Sequence, residues 1–238
     1  MTQHEPGVSP GHIRDHACEA VQLNGQVWGY DPGGNNHHGV ARFTITDGHI
    51  SACASDTVGT VGDAVEWLGS TMPLAFGADT LTAWSTGRNG DRPADRSLRL
   101  AYPDATGSVL SPNTIRGAMC VNGMAVVCLL RSKYPKLLVS EAHPKVLYFS
   151  LTRNLYGSAT LAERTAILAQ WLGICVAELN IGDDNAWDAT SSAYAAWEGL
   201  RGNWTEDLHQ KPLRDDECLV HPAGPTVYFW PEHLNATL

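Results

Sequence analysis

Gln26-Val27-Trp28-Gly29-Tyr30-Asp31-Pro32-Gly33-Gly34-Asn35-Asn36 is the stretch on which the reading of this chain turns. An apolar, strand-like run ends on a carboxylate and opens into a glycine turn. In a dinucleotide-binding α/β fold the first strand would pass through Gly-x-Gly-x-x-Gly into a helix. Here Gly33-Gly34 leads instead to a second strand-like run, Val40 to Thr46, and the Asp47-Gly48 turn leads to a third, Ile50 to Val58. Consecutive strands joined by short turns make an antiparallel meander.

Beyond the meander the pattern changes. Gly62 to Ser70 has helical periodicity and leads into the apolar strand Pro73 to Ala78, which ends at Asp79. An irregular stretch runs to about residue 89, followed by an arginine-rich helix over Ala94 to Leu100. Ser111-Pro112 supplies an N-cap and first-turn pair for a long helix reaching Arg131. Lys136 to Ser140 is a further short strand, Leu161 to Leu172 and Asp184 to Leu200 are helices, and Thr226 to Trp230 is strand-like. Strands separated by helices run parallel, so the order β-β-β-α-β-α-β-α predicts a mixed five-stranded sheet, three antiparallel strands then two parallel, flanked by helices. Residues 1–24 are expected to be a polar arm. Residues 25–238 are expected to form a single domain with a helical insertion at about 85–135.

The chain has 238 residues, of which 43% are apolar, enough for a substantial core. Residues 1–24 carry Glu5, Arg14, Asp15 and Glu19 and no continuous apolar stretch, unlike a secretory signal. No run reaches the roughly 20 apolar residues of a membrane span. The six cysteines, Cys18, Cys53, Cys120, Cys128, Cys175 and Cys218, form no Cys-x-x-Cys pair and suit free thiols in a cytoplasmic protein. A net charge of −9 argues against tight, sequence-blind binding of nucleic acid, which depends on many cationic contacts to phosphates.

The acids carry the chemistry. Ligands of α/β sheets gather at the carboxyl ends of strands, where Asp31, Asp79 and Glu141 all stand. Asp-Pro-Gly is also a plain turn former, so Asp31 alone reads equally as turn or ligand. Asp184 and Asp188 share one helical face. The macrodipole explains an acid at Asp184, whereas Asp188 lies a turn further in. Ala189, Ser191, Ser192, Ala193, Ala195 and Ala196 give this helix a small-residue surface that lets it approach the sheet and carry Asp188 toward Asp31 and Asp79. Carboxylates from separate elements suit magnesium or manganese and can hold two ions roughly 3.5 to 4 Å apart. His143 is a candidate base or a partner orienting Glu141, and Lys145 is a candidate ion-pair partner for Glu141. His37-His38 is expected to face solvent. Arg92, Arg96 and Arg99 recur at helical spacing; with Arg88 they are the candidate phosphate contacts, ion pairs with Asp91 and Asp95 being the plain alternative. No Gly-x-Ser-x-Gly elbow or Walker loop is present.

Taken together, Tyr30-Asp31-Pro32-Gly33-Gly34, Ala78-Asp79-Thr80-Leu81-Thr82-Ala83-Trp84, Arg92-Pro93-Ala94-Asp95-Arg96, Glu141-Ala142-His143-Pro144, and Asp184 through Asp188-Ala189 with its alanine-rich helix resemble a prokaryotic family of unknown function, described as predicted RNase H-like nucleases related to the RuvC resolvases. The resemblance covers about residues 25 to 200. It implies an RNase H-like fold and a metal-dependent nuclease in which Asp31 bridges two magnesium ions, Asp79 ligates from the adjacent strand end, and Asp188, with Asp184, completes the site. Glu141 and His143 match a motif of unassigned role. Two rivals remain open. An actin or sugar-kinase-like phosphotransferase or ATPase would need a second glycine-rich phosphate loop, for which this chain offers Gly87-Arg88-Asn89-Gly90. A non-catalytic binding protein of the same fold would show dispersed carboxylates.

Overall fold

The computed structural model describes residues 23–87, 90–110 and 117–234. The expected N-terminal arm, Arg88 and the Ser111-Pro112 helix start lie outside them. Three antiparallel strands come first, β1 (Gly25–Asp31), β2 (His38–Thr46) and β3 (His49–Val58). Helix α1 (Val61–Leu68) follows, its first turn capped by Thr60, whose Oγ1 accepts from Asp63 N. Next come β4 (Ala75–Ala78), β5 (Trp84–Ser85), α2 (Pro93–Ala101), α3 (Gly117–Lys133), β6 (Val139–Glu141) and α4 (Pro144–Thr152). The chain continues with α5 (Leu161–Leu172), α6 (Asp184–Leu200), β7 (Glu206–Asp207), β8 (Leu219–Val220) and β9 (Phe229–Trp230).

The main sheet has five strands in the order β3-β2-β1-β4-β6. β4 runs parallel to β1, and β6 runs parallel to β4. This is the mixed sheet that the sequence predicts. Two short ribbons, β5 with β8 and β7 with β9, are built largely by residues 204–230. The strand expected at 226–230 belongs partly there and partly to the main sheet, through a parallel bridge of Val227 to Ser140.

Strand alternation divides the side chains between two layers. Trp28, Tyr30, Phe76, Ala78 and Val139 pack with Ala64 and Leu68 of α1 and Val126, Val127 and Leu130 of α3. Val27, Ala41, Phe43 and Ala75 pack on the other face with Leu168 and Leu172 of α5 and Ala189, Ala193 and Ala196 of α6. Asp31 and Asp79 continue the parity of Val27 and Ala75, so both turn toward α6. Glu141 has the parity of Val139 and turns away from it.

Helix α6 crosses the sheet at backbone distance because three strands present glycine beneath it. A Cβ on Gly39, Gly29 or Gly77 would stand 2.0, 2.0 or 1.9 Å from the carbonyl oxygen of Asn185, Ala189 or Ser192 respectively. Those three helix residues are spaced four and three apart and so share one face. Gly29 and Gly77 are register partners, and Gly39 pairs with Asp31.

Two local expectations are corrected. His37 is exposed but His38 is buried, its Nδ1 2.7 Å from the Tyr30 hydroxyl, because β2 begins at His38 and turns its ring into the core. Helix α4 was missed between the Glu141 motif and Leu161. Val146, Leu147, Tyr148, Phe149 and Ser150 are all buried, so the segment shows no polar stripe and only Pro144 at its first position marks it.

Gly77→Ala should cost at least about 1–3 kcal/mol, the range for overpacking, since the added carbon meets helix backbone rather than a movable side chain. Gly34→Ala, with nothing within 4 Å of the added carbon, is the comparison. Urea unfolding of both variants checks this; equal stabilities would refute the close approach.

Candidate metal centre

One carboxylate oxygen from each of Asp31, Asp79 and Asp188 lies within 4.8 Å of the other two. Asp31 ends β1 and Asp79 follows β4 directly, where its N–H donates to Tyr30 O at 2.9 Å and fixes the two strand ends side by side. Asp188 comes down from the second turn of α6, a helix whose N-cap, Asp183, accepts from Ala186 N at 2.9 Å. Asp31 and Asp188 are each only 4% exposed.

Three acids in so small a volume resist ionisation. Burial and the charges of Asp188 and Asp79 hold the Asp31 carboxyl well above its ordinary range, and burial with the Asp188 charge does the same to Asp79. Asp188 is pushed up by burial to about 6, the Lys145 ammonium pulling the other way. Lys145 stands on α4 with its Nζ 3.8 Å from Asp188 Oδ2, so it serves Asp188 and not Glu141. Asp188 Oδ1 is buried with no hydrogen-bond partner among the described residues. A set made of hard oxygens, mutually repelling and left partly unsatisfied, fits a divalent cation.

The other predicted residues are placed as follows. Asp184 is outside the trio, paired with Arg164 and largely exposed, though it borders the same cavity. Glu141 forms a second charged centre. Its Oε2 accepts from Arg92 Nη1 at 2.7 Å and from Thr82 N at 2.8 Å, its Oε1 accepts from Arg92 Nη2 at 2.6 Å, and His209 Nε2 stands 3.4 Å from Oε2. Burial opposes its ionisation, but Arg92 and His209 outweigh burial and hold the carboxyl far below the usual range.

Arg92 is corrected from phosphate contact to internal strut. Its remaining N–H groups go to Asp95 Oδ2 at 3.0 Å, Asp95 Oδ1 at 2.7 Å and Ala83 O at 3.2 Å, which leaves no donor for a ligand. Arg96 is likewise engaged by both oxygens of Glu217 at 2.7 Å, and Arg99 reaches Asp91 at 3.0 Å. The reason is the same for all three: α2 packs its arginines against acids from its own turn, from β6 and from the C-terminal segment. His143 caps α4. Its Nε2 lies 2.9 Å from Ser108 O, which can only accept, so this nitrogen carries the hydrogen and Nδ1 is left as a buried acceptor without a partner among the described residues. Burial lowers its pKa to about 4, so the ring is neutral.

A cavity of about 500 Å³ opens over the trio. Pro32, Leu81, Val109, Leu110 and Met119 are among its walls, along with Lys145, His143 and the buried Arg92–Glu141 pair. Thr80 and the 107–110 wall were not singled out from sequence, and Lys145 was expected beside Glu141 rather than Asp188. A helix start at Pro144 would have placed Lys145 one residue into α4, whereas the wall belongs to a loop whose position no periodicity encodes.

The sequence matches no protein-family model and no curated protein. Among solved structures it is similar to the Thermus thermophilus RuvC structure, at 13% identity and a TM-score of 0.39, over 74% of this chain and 96% of that one. No described helix is long and apolar enough to cross a membrane. The described cysteines, Cys53, Cys120, Cys128, Cys175 and Cys218, are free thiols.

Arg92→Met should destabilise the protein by about 3–5 kcal/mol, since it leaves Glu141 and Asp95 buried without their counter-charge. The loss should be larger at pH 7 than at pH 4, because a depressed carboxyl contributes stability above its unfolded value and loses it as pH falls. Denaturant unfolding at both pH values measures it; a cost below about 1 kcal/mol would contradict the strut.

Proposed function

We propose that this protein is a divalent-metal-dependent phosphodiesterase, a hydrolase of the RNase H-like kind whose substrate class is nucleic acid. The observation that carries the reading is the convergence of Asp31, Asp79 and Asp188 from two strand ends and a helix. The motif resemblance supports it further and suggests the nuclease family described above. Asp31 would be the central ligand of two magnesium or manganese ions, with Asp79 and Asp188 completing the set. Such ions, when bound, supply Lewis-acid polarisation of the phosphate and lower the pKa of water.

The chain's own residues have separate tasks. The glycine-bedded α6 holds Asp188 against the strand ends, so the carboxylates are preorganised and the site needs no closure to form. Burial removes water that would otherwise weaken their charges. Lys145 offers a cation beside Asp188 where an anionic substrate would enter. Arg92 locks the β6 end through Glu141, which sets where α4, and with it Lys145, begins. The phosphotransferase reading gains nothing here: Gly90 N donates to Gly87 O at 2.9 Å, and Arg88 and Asn89 lie outside the described residues. Dispersed carboxylates, the mark of a binding-only protein, are not what the three aspartates display.

Cleavage of single-stranded, duplex and hybrid oligonucleotides with manganese should fall by roughly 100-fold or more in Asp31→Asn. Equal rates in the two proteins would assign the activity to another site or to a contaminant. Stability gives a second readout. A carboxyl raised in the folded state contributes stability that is present below its unfolded value near 4 and lost as pH rises through its folded value, about 6 for Asp188. Manganese should therefore raise the melting temperature more at pH 8 than at pH 5. Asp188→Asn should melt above the wild type at pH 8 without metal and gain nothing from manganese. A wild type that melts higher without metal at pH 8 would contradict this.

A further inference from the structure

The cavity above the trio is shaped for more than a phosphate. Its volume of about 500 Å³ falls within the range of about 300–1,000 Å³ that encloses a small organic ligand. Val109, Leu110 and Met119 give the cavity an apolar wall carried by segments other than those that bear the trio. An apolar wall of this kind suits the face of a heteroaromatic ring better than a bare sugar.

Charge narrows the occupant further. The described residues around the cavity include two cationic side chains, Arg92 and Lys145, and every N–H of Arg92 is spent. Of these two, Lys145 is the one left to meet a phosphate. Strand and duplex binders gain affinity by neutralising many phosphates, and a chain of net charge −9 with one such cation among the described residues of its site is not built for that.

We propose that the cavity takes a single nucleotide unit, with its phosphate at Asp31, Asp79 and Asp188 beside Lys145 and its base against Val109, Leu110 and Met119. The unit is a free nucleotide or the terminal or everted nucleotide of a strand, since a base inside a duplex cannot enter such a cavity. This rests on the phosphodiesterase reading and names the part of the substrate that the site grips.

Calorimetry on the full chain with manganese tests it, using adenosine 5′-monophosphate, ribose 5-phosphate and a 20-nucleotide single strand. Adenosine 5′-monophosphate should bind one to one and at least tenfold more tightly than ribose 5-phosphate. The 20-mer should bind within about tenfold of it, with log K against log salt falling at a slope near −1, the value for one or two phosphates at about −0.7 each. Leu110→Trp, which narrows the wall away from the carboxylates, should weaken adenosine 5′-monophosphate at least tenfold and leave manganese affinity intact. Equal binding of the two phosphates, no loss in Leu110→Trp, or a 20-mer bound more than 100-fold tighter with a slope of several would overturn the proposal. Manganese bound without any nucleotide would overturn it and leave the phosphodiesterase reading standing; no manganese bound would sink that reading itself.

Discussion

The contact between the backbone of α6 and the glycines of three strands is the constraint on which the rest depends. An ordinary helix rides on a sheet at the distance its side chains impose. Here Gly39, Gly29 and Gly77 remove the sheet's side chains along one line, and Asn185, Ala189 and Ser192 set helix carbonyls into the gap. The consequence is positional. Asp188, on that same helix, arrives within a few ångström of two carboxylates that the sheet has already placed side by side.

Bringing the acids together opposes folding. All three carboxyls are held above their ordinary range by burial, and Asp31 and Asp79 also by their neighbours' charges, so without a cation the cluster is a source of instability at neutral pH. One lysine at 3.8 Å offsets only part of this. The fold tolerates it because the surrounding core is extensive and because the second charged centre has its hydrogen bonds met within the chain. Arg92 meets Glu141 and Asp95 with every N–H satisfied, so both neighbouring acids share a bonded counter-charge while the trio has only the lysine at its edge. That contrast within one cavity separates a structural ion pair from a site left open for a ligand.

Much of this was legible in the chain. The meander followed from Pro32-Gly33-Gly34 and Asp47-Gly48, and the parallel strands followed from the helices between them. The alanine-rich face of α6 pointed to close packing, although the strand glycines that receive it went unread, since isolated glycines in strands look like weak points. The trio could be assembled because each acid stands at an element boundary. The arginines could not be assigned, because whether a guanidinium meets a phosphate or an internal acid depends on partners such as Glu141 and Glu217, 49 and 121 residues away. Helix α4 was hidden by its own burial, and with it the placement of Lys145 beside Asp188.

The central claim is that the three aspartates form one metal site whose protons leave when the ion binds. Calorimetric titration of the full chain with manganese, repeated at pH 6 in buffers of different ionisation enthalpy, counts those protons directly. The account predicts binding with release of about one proton or more per chain, shrinking as the pH is raised to 8. Binding with no proton release, or no binding at all, would contradict it.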